Sequence, residues 1–255
     1  MQNKKQKLIK IGVIFVVKIG LDAGHGLKTK GKETPNGIKE FELNDRVCDK
    51  ITSILKDYDC EIIRTDNNEG YTDESLSFRL ARYKAEKVDA FVSIHHNAFG
   101  DDWNNVTGVE VYVDKKATAK DKKLAKCIYK RLVKYTGLKG RGIKKENFYV
   151  INQNSIPAIL VEGGFMTNGI DYGVITSDAG QTAYAKAVAE GLIEFLKLKK
   201  KPLPSSVQKS LDYWAKEVIA GKHGNGHTNR EKSLKKAGCL YSYTKVRARV
   251  NELLK

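Results

Sequence analysis

Two histidines and two glutamates in this sequence stand where side chains could bind a metal ion and move a proton. His25 lies in the segment DAGHG, whose glycines let the backbone turn sharply and leave the imidazole exposed. Glu40 follows along the chain, His95 closes one apolar run and Glu162 closes another. Two imidazoles and a carboxylate suit catalytic zinc, with the fourth position left to water. A second carboxylate nearby would supply the base that such a water needs.

The residue types alone leave two questions open. A histidine at a strand end is commonly a hydrogen-bonded structural residue, so the motif match is only a hypothesis about a metal. His96 directly follows His95, and only one of the two can face the metal because neighbours on a strand point to opposite sides. The four cysteines, at 48, 60, 127 and 239, form no CxxC pair, which argues against a thiolate site or a disulfide scaffold.

The hydrophobic pattern predicts the elements that position these residues. Six apolar runs indicate strands, at residues 19–21, 61–65, 90–94, 109–113, 148–151 and 158–161. Four stretches have apolar residues at helical spacing, at residues 43–55, 74–87, 120–135 and 179–196. This alternation predicts an α/β fold, a mostly parallel twisted sheet of about six strands with helices on both faces. Open sheets of this kind bind ligands beyond the carboxyl ends of their strands, where His25, His95 and Glu162 fall.

The chain is predicted to have three parts. Residues 18–196 hold the alternating pattern, and residues 197–206 form a basic, proline-containing linker with little to bury. Residues 207–255 are predicted to form a small three-helix module, with helices at 207–220, 229–236 and 243–254. A module of this size has a marginal core, which favours a role in binding over one in catalysis.

The charge and the N-terminus bear on partners and location. The net charge of +16 favours a polyanionic partner, although a lysine-rich solvated surface would give the same number. A recognition helix or aromatic RNA-stacking strands are not evident, so nucleic acid is not expected. The apolar stretch 8–17 is short, is bracketed by Lys10 and Lys18, and precedes no small-residue cleavage site. We therefore interpret residues 1–17 as an extension outside the core, and expect neither export by a signal peptide nor stable membrane insertion.

Several separated motifs resemble the zinc N-acetylmuramoyl-L-alanine amidases of the Amidase_3 family. They are IGLDAGHG from residue 19, EFELN from residue 40, FVSIHHNA from residue 91, and PAILVEGGFMTN from residue 157. The resemblance implies one zinc ion per domain with His25, Glu40 and His95 as ligands, which makes His96 the variable position. It also implies that Glu162 is catalytic, and we expect Asn97 to bind substrate. Gly163 stands where the family commonly has a larger apolar residue, and we expect this departure to open the pocket.

The resemblance implies hydrolysis of the bond between the lactyl group of N-acetylmuramic acid and L-alanine in bacterial peptidoglycan. In that reaction Glu162 would accept a proton from the attacking water and later pass it to the departing amine. Such an enzyme would act as a lytic endolysin, made in the host cytoplasm and acting at the cell wall. The alternatives are a host autolysin of the same activity and a basic wall-binding protein without turnover.

The C-terminal segment resembles the CW_7 cell-wall-binding repeat. The similar residues include GNG at 224–226, AG at 237–238 and VN at 250–251, in the same order as in the repeat. The chain departs by a longer stretch between Gly238 and Val246, and by Arg247 where glutamine is usual. The resemblance implies a muropeptide ligand, and we place its site near Arg230 and Tyr241.

Overall fold

The computed structural model describes residues 16–67, 69–152, 155–201 and 210–254. The chain divides into two compact units, one ending at Lys200 and the other starting at Lys201. Residues 202–206 of the predicted linker, and residues 1–15 of the predicted extension, lie outside the described residues. Strand β1 begins at Val17, so the last residue assigned to the extension already pairs with Cys60.

Six strands form one sheet in the first unit: β1 Val17–Ala23, β2 Cys60–Arg64, β3 Ala90–Asn97, β4 Val109–Val113, β5 Gly140–Lys145 and β6 Ala158–Phe165. Their order across the sheet is β2-β1-β3-β6-β4-β5. Every neighbouring pair is parallel except β4 and β6, which are antiparallel. The predicted mostly parallel α/β sheet is confirmed.

Five helices belong to this unit: α1 Glu40–Leu55, α2 Leu76–Ala85, α3 Ala119–Thr136, α4 Gly169–Ile175 and α5 Asp178–Leu196. Helices α1, α3 and α5 pack with Val92, Ile94, Ile159 and Val161 in the larger core. Helix α2 and a 3-10 turn, Tyr149–Ile151, pack with Phe91 and Leu160 in a smaller core. Alternate residues of the strands point into the two cores, so helices cover both faces of the sheet.

Three details of the first unit differ from the prediction. Residues 148–151 were predicted to be a strand, which is wrong, since Tyr149–Ile151 forms the 3-10 turn and buries Val150 and Ile151. The sixth strand is instead Gly140–Lys145, a basic segment at the edge of the sheet. Helix α4 was not predicted; it begins after Asn168, whose side chain accepts hydrogen bonds from the backbone N–H groups of the first turn.

The second unit contains three helices: α6 Leu211–Ile219, α7 His227–Lys236 and α8 Tyr243–Leu253. They enclose a core of their own, formed by Trp214, Ala215, Val218, Leu234, Val246 and Val250. The predicted three-helix module is therefore observed over residues 211–253. Across the described residues, none of the helices combines the length and apolar character that crossing a membrane requires.

Candidate metal centre

His25, Glu40 and His95 converge at one edge of the sheet. Nε2 of His25 lies 3.2 Å from Oε2 of Glu40, and Nδ1 of His95 lies 2.9 Å from Oε1 of the same carboxylate. Donor atoms of the three side chains all lie within 4.8 Å of one another. Glu40 is buried and the two imidazoles remain partly exposed. The arrangement provides two nitrogen donors and one carboxylate oxygen within reach of a single ion that solvent can approach.

The loop after β1 presents His25 in an unusual backbone conformation. His25 has a φ of 66°, in the left-handed region that few non-glycine residues adopt. Its neighbour Gly24 must remain without a side chain, because an added Cβ would lie 2.0 Å from Cε1 of His95. The glycines that suggested a sharp turn in the sequence thus also make room for the second imidazole.

A buried arginine on α2 holds the backbone of this loop. Nη1 of Arg79 donates to the carbonyl of Ala23 at 2.7 Å and to the carboxylate of Asp22 at 2.6 Å. Its Nη2 donates to the carbonyl of His25 at 2.8 Å. Asp22 and Arg79 are both about 1% exposed, so each compensates the buried charge of the other. Sequence reasoning did not identify Arg79, since it lies more than 50 residues from the loop that it supports.

His95 and His96 point to opposite faces of the sheet. His95 contacts Glu40, whereas Nδ1 of His96 lies 2.8 Å from Oδ1 of Asn44 on α1. The ring of His96 also packs edge-on against Tyr184 of α5, and burial lowers the pKa of this imidazole to about 4. A neutral, buried His96 is therefore part of the core beneath the site.

Glu162 faces the same side as His95, since the two residues are register partners on β6 and β3. Its Oε2 is buried and has no hydrogen-bond partner among the described residues. Burial, together with the charges of Glu40 and Glu110, raises the pKa of Glu162 well above its ordinary value. In Glu40, by contrast, hydrogen bonds from His25 and His95 overcome burial and hold the pKa well below its ordinary value.

Gly163 does not open the pocket, contrary to expectation. The phenol ring of Tyr184 occupies the space beside it, and an added Cβ on Gly163 would lie 2.0 Å from Cε1 of that ring. The hydroxyl of Tyr184 donates to the carbonyl of Val161 at 2.8 Å. The small residue on β6 and the large residue on α5 are complementary in size.

The three residues predicted to bind substrate lie in two places. Asn97 ends β3 near the site, and its amide donates to Glu110 at 2.6 Å. Arg230 and Tyr241 belong to the second unit, where Arg230 donates to the carbonyl of Gly224 and Tyr241 packs on the module's core.

A cavity of about 300 Å³ adjoins the two imidazoles. Its lining includes His25, His95, Glu74, Leu76 and Val150, so it extends from the proposed ligands towards α2 and the 3-10 turn. The cavity therefore offers space for a ligand beside the two imidazoles.

Comparison with known families gives two matches. Residues 19–194 match the family described as N-acetylmuramoyl-L-alanine amidase, and residues 212–254 match the CW_7 repeat. The endolysin of Bacillus phage SPP1 is 34% identical over 194 residues, which are 75% of this chain and 70% of that protein. The amidase LytC of Bacillus subtilis is 30% identical over 178 residues, which are 69% of this chain and 35% of that longer protein.

Solved structures resemble the first unit. The catalytic domain of CwlV, an N-acetylmuramoyl-L-alanine amidase from Bacillus (Paenibacillus) polymyxa var. colistinus, has a TM-score of 0.66 and 30% identity. That match covers 72% of this chain and 99% of the CwlV domain. An N-acetylmuramoyl-L-alanine amidase from Clostridium difficile has a TM-score of 0.67 and 30% identity, over 71% of this chain and 97% of its own.

Proposed function

The chain belongs to the N-acetylmuramoyl-L-alanine amidase family, and we propose that it cleaves peptidoglycan with a zinc ion held by His25, Glu40 and His95. The convergence of these three side chains within 4.8 Å is the observation that supports the metal most directly. The donors also fit zinc chemically, because two imidazole nitrogens and one carboxylate oxygen are a common set in catalytic zinc sites. The bond hydrolysed is the amide between N-acetylmuramic acid and L-alanine.

Glu162 is the general base of the proposed reaction. When bound, zinc supplies a Lewis acid that polarises a carbonyl and favours the loss of a proton from water. The carboxylate of Glu162 accepts that proton as the water oxygen bonds to the amide carbon, and then delivers it to the nitrogen as the C–N bond breaks. A raised pKa suits both steps, since the group must hold the proton briefly and release it again.

We assign catalysis to residues 18–196 and wall attachment to residues 207–255, joined by the linker 197–206. The match of residues 212–254 to the CW_7 repeat supports the second assignment. We further propose that this module binds a muropeptide near Arg230 and Tyr241. With a lytic domain and a wall-attachment module, the protein would act as an endolysin on bacterial cell walls.

Digestion of purified peptidoglycan tests the proposal. We expect new L-alanine amino termini without new reducing sugars, and loss of this activity on zinc removal with recovery when zinc is restored. New reducing ends would instead indicate a glycosidase. Binding without either product would indicate a wall-binding protein that does not turn over, and activity unaffected by complete metal removal would overturn the zinc proposal.

A further inference from the structure

A buried carboxylate beside Glu162 collects four side-chain donors. Glu110 is 1% exposed and is the register partner of Glu162 on the neighbouring strand β4. Its Oε1 accepts hydrogen bonds from Asn97 at 2.6 Å and from the Tyr112 hydroxyl at 2.7 Å. Its Oε2 accepts one from Nε of Arg141 at 2.9 Å and a very short one from Nζ of Lys144. Both oxygens of this carboxylate therefore accept hydrogen bonds within the protein, and solvent or substrate gains little access to it.

Two positively charged side chains surround the single negative charge of Glu110. One carboxylate faces the guanidinium of Arg141 and the ammonium of Lys144, which leaves this cluster with one net positive charge. Although burial works to raise it, the hydrogen bonds from Lys144 and its neighbours hold the pKa of Glu110 below its ordinary value. The side chains of Arg141 and Lys144 remain 29% and 38% exposed, so the excess positive charge faces solvent.

The guanidinium of Arg141 is fixed on three sides. Besides the bond from Nε to Glu110, Nη1 donates to the carbonyl of Thr107 at 3.2 Å, and the group lies over the ring of Phe165 at 4.9 Å. Gly108 makes this approach possible, since an added Cβ would lie 3.0 Å from the arginine side chain and 2.3 Å from a neighbouring carbonyl oxygen. A cation held in this way loses little conformational entropy when it binds an anion.

A second buried acid fixes the backbone that carries these contacts. Asp171 is 0% exposed and accepts hydrogen bonds from the hydroxyl of Thr107 and from the backbone N–H groups of Gly108 and Phe165. It therefore ties the start of β4 to the end of β6, between which Arg141 is held.

We infer that Arg141 and Lys144, anchored on Glu110, form a binding site for a carboxylate of the peptide stem. The inference rests on the proposed function, because only then does the substrate place a peptide at Glu162. Any free carboxylate of the stem that lies close to the amide that is cut would meet these cations, and a guanidinium is well suited to bind a carboxylate through charge-assisted hydrogen bonds. The site would orient the stem so that the scissile amide lies between Glu162 and the metal ligands.

The competing explanation is that Arg141 and Lys144 only keep Glu110 and Glu162 in place. If the two cations have only a structural role, replacing either one should lower the cleavage rate equally for all substrates. If they form a carboxylate site, the replacement should lower the rate only for substrates that bear the carboxylate charge. Purified peptidoglycan stripped of other wall polymers supplies a matched pair of substrates, untreated or with its carboxylates converted to neutral carboxamides. The readout is the ratio of the rates at which L-alanine amino termini appear from the two, at subsaturating concentration.

Lys145 offers a matched control on the same strand. It follows Lys144 directly, so it faces the other side of the sheet, and Lys145→Gln removes the same charge. In the wild-type full-length chain we expect untreated peptidoglycan to react about 10- to 100-fold faster than the amidated form. Arg141→Gln and Lys144→Gln should each shrink that ratio towards one, and Lys145→Gln should keep it. Any contribution of the C-terminal module cancels, since all variants carry it.

The outcomes separate the inference from the proposed function. No new L-alanine amino termini from untreated peptidoglycan would overturn the proposed function itself. Cleavage of both substrates at equal rates by the wild type would overturn only the carboxylate site. A ratio that Arg141→Gln and Lys144→Gln leave unchanged would do the same, and would assign both cations to positioning. If thermal unfolding shows a variant to be destabilised, Arg141→Lys, which keeps the charge, should recover part of the preference.

Discussion

Glu40 and Glu162 carry the same carboxyl group, but their surroundings act on it in opposite directions. Glu40 is flanked by two imidazoles that stabilise its charge, whereas Oε2 of Glu162 is buried without a partner among the described residues. Pairs of titratable groups whose environments separate their pKa values are typical of sites that divide the labour of acid and base chemistry. This difference is consistent with the roles proposed for them, Glu40 as a metal ligand and Glu162 as the proton carrier.

Removing either imidazole nitrogen donor should remove the metal. We expect His25→Ala and His95→Ala to lose zinc and activity together, since each deletes one of three protein ligands. His96→Ala is the control, because its side chain contacts Asn44 and Tyr184 instead. It should keep zinc while losing about 1–3 kcal/mol of stability through the unsatisfied Asn44 oxygen. The metal content of the three purified variants tests this prediction; a zinc-free His96→Ala would show that His96 holds the metal.

The variant Glu162→Gln should distinguish metal binding from catalysis. The amide is nearly the same size as the carboxyl group but cannot accept the proton, so turnover should fall by about two to four powers of ten. Zinc content and wall binding should stay at wild-type levels. Near-normal turnover would remove Glu162 from the mechanism, and a loss of zinc would make it a fourth ligand.

Among the elements, the sequence predicted those whose hydrophobic pattern is regular. Each central strand buries one apolar run, and each of the long helices α1, α3 and α5 buries one apolar stripe. The sequence predicted these elements, and the structure contains them. Strand β5 was missed because GRGIKK at 140–145 is basic and holds two glycines, which an edge strand tolerates. The segment 148–151 was predicted to be a strand because its four consecutive apolar residues, FYVI, fit a short strand and a 3-10 turn equally well.

The same reasons decided which parts of the site could be predicted. His25, His95 and Glu162 stand near or after strand ends and Glu40 begins α1, all within distinctive motifs. Their residue types suggested a metal site, and the family resemblance then favoured His95 over His96. The cluster around Glu110 depends on β5, whose position was unknown, and Arg141 lies 31 residues away from Glu110 along the chain. A signal was present nevertheless: a glutamate inside the apolar strand VEVYV must be paired if it is buried.

The contact between β6 and α5 gives a prediction about packing. Gly163→Ala should destabilise the domain by about 1–3 kcal/mol, because the new Cβ overlaps the ring of Tyr184. In a Tyr184→Leu background the same change should be nearly neutral, so the two positions should be coupled by about 0.5–3 kcal/mol in a double-mutant cycle. Gly169→Ala serves as the control, since nothing lies within 4 Å of the Cβ it would add. Denaturant midpoints of the wild type, the two single variants and the double variant measure the coupling, and an equal effect of Gly163→Ala in both backgrounds would contradict it.

The chain combines two compact units, each with its own hydrophobic packing, and its charge is unevenly distributed between them. The larger unit packs its two cores against the sheet and its helices, and the smaller unit packs around Trp214 and its neighbours. None of the described residues belongs to the cores of both units. Residues 200–255 contain 13 Lys and Arg against four Asp and Glu, so 13 − 4 gives +9 of the total of +16. If the smaller unit binds cell walls as proposed, it could do so through a shaped site, through a general attraction to wall phosphates, or through both.

Cutting the chain near Lys200 should leave a folded, zinc-binding amidase, because the larger core needs no residue of the smaller unit. The isolated segment 203–255 should bind purified walls, and salt distinguishes the two means of attachment. General electrostatic attachment weakens steeply as ionic strength reduces the screening length to about 10 Å at 0.1 M and less above it, whereas a shaped site keeps most of its affinity. We expect binding to persist, with modest salt dependence, on walls stripped of their phosphate polymers. Loss of binding on stripped walls would show that the segment acts only through its positive charge, and the muropeptide site near Arg230 and Tyr241 would have to be abandoned.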